Sequence, residues 1–160
     1  MNKYLQLGKY SKDCPKELLV EVKKIKKENN QKDYILEIFK LVKEEFNPQK
    51  HDITTTNDFK ISRFISANEV YKKRQRSCGS IATVMASLLR TLGYPTKLVN
   101  GFYIKNNPQM RHAWNEVMIN GKWVAIDIMR NDFKLDKYHV RNDEWVDWND
   151  LEKEMQKSEK

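Results

Sequence analysis

Between Ile81 and Leu92 the apolar residues Ile81, Met85, Leu88, Leu89 and Leu92 fall at i, i+4, i+7, i+8 and i+11. Beyond Pro95 the period drops to two. That change of period constrains the fold more than any other feature, because a helical face and a pleated surface must be buried by the same chain. Gly93 and Pro95 supply the stop between them. The alternation predicts strands over 96–104, 111–119 and 122–128, with a turn at Asn106-Asn107-Pro108 between the first two. Asn120-Gly121 joins the last two, and this dipeptide is the strongest short hairpin signal. Upstream, Asp13-Cys14-Pro15 opens a helix carrying Leu18, Leu19, Val22 and Ile25, which Asn29-Asn30 breaks. A second helix runs from about Lys32 to Phe46 and ends at Asn47-Pro48. Residues 49–59 read as loop and 66–75 as a short third helix. The segment after Asn131 is polar and aromatic and carries no assigned element. Helices first and strands later predict an α+β fold, its mainly antiparallel sheet packed on the helix that starts at Cys78.

The 160 residues suit a single domain over 1–160, with its core at about 13–130 and frayed ends at 1–10 and 150–160. No apolar run approaches the length of a membrane span. The first residues lack the apolar stretch of a secretory leader, so a cytoplasmic location is expected. Two cysteines are too few for a disulfide framework. His51 and His139 lack metal-ligand spacing with either cysteine, so neither a metal nor a cofactor is expected. The net charge of +8 is uneven. Residues 1–77 hold 18 Lys/Arg against 11 Asp/Glu, and residues 78–160 hold 12 against 11. The excess peaks at Lys72-Lys73-Arg74-Gln75-Arg76, a run that suits a solvated helix face or a phosphate-contacting patch.

Cys78 opens the buried helix, where unpaired backbone N–H groups favour an anion and lower a thiol pKa. Cys14 also precedes a helix, yet no partner suggests itself there. If Asn120-Gly121 forms a two-residue turn, Ile119 faces Lys122 and Trp114 faces Asp127. His112 and Asp127 are then diagonal neighbours on one face, about 7–8 Å apart between Cα atoms. A register slip of one residue would separate them. A carboxylate on one imidazole nitrogen leaves the other free to take a proton from a thiol. Cys78, His112 and Asp127 thus fit the roles of nucleophile, base and orienting acid. Asp132 and Glu116 are weaker substitutes for the acid, and Trp114, on the face of His112, is a candidate shield for the imidazole.

These residues resemble the transglutaminase-like superfamily. The resemblance rests on Arg76-Ser77-Cys78-Gly79, on Leu88-Leu89-Arg90-Thr91-Leu92-Gly93-Tyr94-Pro95, on His112-Ala113-Trp114 and on Trp123-Val124-Ala125-Ile126-Asp127, spanning roughly 66–128. It implies a papain-like fold with Cys78 as nucleophile, His112 as general base and acid, and Asp127 orienting His112. The implied reaction is acyl transfer on an amide or glutamine carbonyl of a peptide, through a thioester. Hydrolysis is the leading outcome and transamidation the second. Besides the Cys78 N–H, Gln75 and Tyr71 are candidate oxyanion donors. The chain shows neither a calcium loop nor the flanking β-domains of animal transglutaminases. The alternative from another class is an inactive basic module that binds nucleic acid or an acidic partner through Lys72, Lys73, Arg74 and Arg76.

Overall fold

The computed structural model describes residues 2–27, 30–105 and 110–159. The turn expected at Asn106-Asn107-Pro108 and Asn29 of the expected helix break lie outside them. After a 3-10 turn at Lys3–Leu5, five helices precede the sheet: α1 (Lys16–Lys23), α2 (Gln31–Glu45), α3 (Phe59–Arg63), α4 (Ala67–Lys73) and α5 (Cys78–Thr91). The strands are β1 (Thr96–Tyr103), β2 (Met110–Ile119), β3 (Lys122–Asp127), β4 (Asp132–Phe133) and β5 (His139–Trp145), and α6 (Trp148–Ser158) closes the chain. The fold is α+β, as the change of period requires.

Helix α5 is the hub. Every residue from Gly79 to Arg90 is buried, so the helix is covered on all sides rather than along one stripe. On one side α1, α2 and α4 bring Leu18, Ile35, Ile38 and Val70 against Met85 and Leu89. On the other, Ala82 and Ala86 meet Leu98, Ala113 and Trp148. Gly93 ends α5 at φ 95°, a left-handed conformation that glycine adopts without strain.

The sheet runs β4-β3-β2-β1-β5 with every neighbour antiparallel. Asn120 and Gly121 both have positive φ, 50° and 78°, as a type I′ turn demands. The turn sets the expected register, with Ile119 opposite Lys122 and Asn115 opposite Ile126. No described helix is long and apolar enough to cross a membrane.

Three expectations need correction. Residues 49–59 are not all loop, because Asp58 caps α3 by accepting from the Ile61 N–H at 2.9 Å. The polar segment after Asn131 holds β4, β5 and α6. The ends are packed rather than frayed. Tyr4 and Tyr10 are buried, Tyr10 OH donates to Glu152 at 2.8 Å, and α6 turns Trp148, Leu151 and Met155 toward the core. Those three residues stand at i, i+3 and i+7 behind an Asp147 cap, a helical stripe hidden in a segment of low mean hydropathy.

Candidate active site

Four elements meet at one end of the sheet, and each contributes a polar side chain there. Helix α5 begins at Cys78, β2 brings His112 two residues after its start, β3 finishes at Asp127 and β5 opens at His139. The hairpin register makes His112 and Asp127 diagonal neighbours, and His112 Nε2 lies 2.6 Å from Asp127 Oδ2. That bond engages Nε2 and leaves Nδ1 to serve the thiol.

The first turn of α5 is pinned from below. Gly79 N–H donates to Ser62 Oγ at 3.0 Å, and Ser80 Oγ donates to the Ser62 carbonyl at 2.8 Å. Gln75 is part of this brace. Its amide nitrogen donates to Ser80 Oγ at 2.6 Å and to the Ile61 carbonyl at 3.2 Å. A side chain so committed is not free to serve an oxyanion, which corrects one expectation. Tyr71 is buried in the helical core under the Arg74 guanidinium, 3.9 Å from its ring, away from the cleft beside Cys78. It too is removed from the candidate donors. The Cys78 N–H belongs to the first helical turn, whose amides have no intrahelical acceptor.

Burial alone would push the Cys78 thiol up. The hydrogen bond from His112, the charge of Arg63 and the Ala113 amide outweigh it and bring the thiol from 9.0 down to about 7. For His112, burial works downward, while hydrogen bonds to Asp127 and Cys78 raise the imidazole to about 9. Both shifts favour a thiolate–imidazolium pair near neutral pH. Burial raises Asp127, but its bonds to His112 and His139 hold it below the usual carboxylate range. Cys14 behaves in the opposite way, since burial pushes its thiol above the ordinary value.

Two residues of the site escaped the sequence reading. His139 Nε2 lies 2.7 Å from the same Asp127 Oδ2, and its Nδ1 lies 3.1 Å from Asp136 Oδ1. Arg63 is only 2% exposed, and its guanidinium sits 3.9 Å over the Phe59 ring. Its Nε donates to Asn100 Oδ1 at 3.0 Å, which aims the cation at the thiol. Trp114 lies where alternation puts it, its ring stacked on His112 at 6.1 Å and edge-on to His139 at 5.1 Å. Asp132 and Glu116 do not replace Asp127: Glu116 is bound by Arg141 at 2.9 Å, and Asp132 stands 3.9 Å from His139.

Donor atoms of His112, Asp127 and His139 lie within 4.8 Å of one another, as do those of Asp132, Asp136 and His139. A metal needs imidazole nitrogens free of protons. Here Asp127 Oδ2 already takes two imidazole nitrogens at hydrogen-bond distances, so the first set is committed to N–H···O bonds. The basic run 72–76 does not form one face. Lys72 and Lys73 are exposed, Arg74 pairs with Glu45 at 2.9 Å, Gln75 is buried and Arg76 lines the cleft beside Cys78.

A family model described as the transglutaminase-like superfamily matches residues 20–128. The crystal structure of a "putative cysteine protease" from Cytophaga hutchinsonii superposes with a TM-score of 0.69 at 24% identity, over 92% of this chain. The superposition takes in 47% of that chain, so this chain spans about half its length. No curated protein matches this sequence.

Proposed function

The chain belongs to the transglutaminase-like superfamily, and on that premise we propose that it is a cysteine-dependent enzyme that hydrolyses amide bonds through a thioester on Cys78. The observation that carries this reading is the pairing of a thiol lowered to about 7 with an imidazole held by a buried carboxylate. In the acylation step Cys78 Sγ⁻ attacks the amide carbonyl carbon, and the oxyanion forms beside the Cys78 N–H. His112 then gives its Nδ1 proton to the leaving nitrogen, the C–N bond breaks, and a thioester and an amine remain. Water attacks the thioester while His112 takes its proton. The C–S bond breaks, the carboxylic acid leaves, and the thiolate–imidazolium pair is restored. Asp127 keeps His112 oriented throughout and stays ionised. An amine in place of water would give transamidation by the same steps.

Trapping the acyl-enzyme tests this without a known substrate. The protein is mixed with a p-nitrophenyl ester and its intact mass is followed. One acyl group should appear on Cys78 and none on Cys14, and Cys78→Ala should abolish it. Equal labelling of both thiols, or none at Cys78, refutes the reading.

A further inference from the structure

Building on the acyl-transfer reading, we infer that the cleft beside Cys78 selects peptides that carry carboxylates next to the scissile amide. The cleft holds about 590 Å³. Four of the chain's seven arginines line it, Arg63, Arg76, Arg111 and Arg130, and no lysine does. Among the described residues none of the four has a carboxylate oxygen within 4.0 Å, whereas Arg74 and Arg141 elsewhere are paired at 2.9 Å.

Arg63 is occupied by the thiol and Asn100, which leaves Arg76, Arg111 and Arg130 without a carboxylate partner within 4.0 Å among the described residues. Arg130 is the most constrained. Its guanidinium stacks 4.1 Å from the Tyr103 ring, Nη2 rests 3.2 Å from Met110 Sδ, and its Nε is buried with no acceptor. The acid on the cleft wall, Asp58, spends an oxygen on the α3 cap. Against the Cys78 thiolate, the His112 imidazolium, the ionised Asp127 and Asp58, the four arginines still leave the cleft net positive. Arginine rather than lysine fits planar carboxylates, which it binds through two parallel hydrogen bonds.

The geometry also places the acidic side chain. A smaller cavity of about 230 Å³ shares Phe59, Arg63, Arg111 and His112 with the cleft and adds Asp143. Asp143 lines only the smaller cavity, whereas Arg76 and Arg130 line only the larger one, beside Cys78. The substrate carboxylate belongs on the Arg76–Arg130 side.

A protection assay tests this. Alkylation of Cys78 by iodoacetamide is timed by mass spectrometry with a blocked Glu-rich peptide or its Gln counterpart in excess. The Glu peptide should slow labelling about tenfold where the Gln peptide has little effect, the scale of charge-assisted hydrogen bonds. Protection should fade near about 1 M salt, where screening acts within about 3 Å. It should also vanish in Arg76→Gln/Arg111→Gln/Arg130→Gln. If that triple variant does not fold, the three single variants should each weaken protection. Equal protection by both peptides, protection by neither, or Glu protection that survives loss of the arginines overturns the proposal. An ordinary thiol pKa at Cys78 in the same assay would sink the acyl-transfer reading instead, while the peptide comparison still reports on the cleft.

Discussion

His139 Nε2 lies 2.7 Å from Asp127 Oδ2, the oxygen that also takes His112 Nε2 at 2.6 Å. One carboxylate oxygen therefore holds two imidazoles, and Asp136 holds the far side of the second. The arrangement fixes Asp127 against rotation and places partial positive charge behind it, since the bonds to Asp127 and Asp136 outweigh burial and raise His139.

His139 is thus a positioning residue, and its loss has two consequences. Freed from one partner, Asp127 orients His112 less well, so His139→Ala should lower acylation by about tenfold, the scale of a lost hydrogen bond to a charged group. With His139 gone, the Asp127 charge acts on His112 alone, so the basic limb of the pH–rate profile should also move upward. His139→Gln keeps a donor and should recover much of the rate. A profile that falls in height without moving would mean a merely structural role.

Arg63 sets the acidic limb. Its guanidinium favours the Cys78 thiolate, so Arg63→Gln should raise the thiol pKa from about 7 by on the order of one unit. The midpoint of Cys78 alkylation against pH reads this directly. Arg63→Lys should shift the midpoint less, because the charge is kept. An unmoved midpoint in Arg63→Gln would remove Arg63 from the site's electrostatics.

Acyl transfer needs the thiolate and the imidazolium together. Activity should rise as pH passes about 7, where the thiol ionises, and fall as it passes about 9, where the imidazolium loses its proton. These two values belong to the coupled pair. In Asp127→Asn the upper limb should move down, because the anion that raises His112 is gone, with a loss in rate of about 10²- to 10⁴-fold.

Arg90 is a stability residue rather than a site residue. Buried in the last turn of α5, it donates to the carbonyls of Gln6, Thr96 and Val146 at 2.6–3.0 Å. Arg90→Met strands these acceptors and should cost about 3 kcal/mol in urea unfolding, while a Cys78 that still labels normally shows the site intact. A change below about 0.5 kcal/mol would contradict the assignment.

What could be read from the sequence was local or fixed by one turn. Asn120-Gly121 dictated the β2–β3 register, and the register alone carried His112 to Asp127. Helix α5 was legible because its apolar period is unbroken and Gly93 stops it. His139 was not legible, because β5 is an edge strand of mostly polar residues whose ladder partners lie on β1. Parity arguments do not cross the connection from β4 to β5, where no tight turn sets the register. Arg63 sits in a five-residue helix too short to show a period. The commitment of Gln75 is not legible either, because Ser80 and Ile61 claim its amide through contacts that only the folded chain makes.

The most direct test of the account is the rate of iodoacetamide labelling at Cys78 against pH, with Cys14 as the control in the same spectrum. Cys78 should label with a midpoint near 7. It should lose that advantage in His112→Ala, while Cys14 follows a profile displaced above the ordinary thiol value. Cys78 and Cys14 titrating together, indifferent to His112, would contradict the thiolate–imidazolium pair on which the account depends.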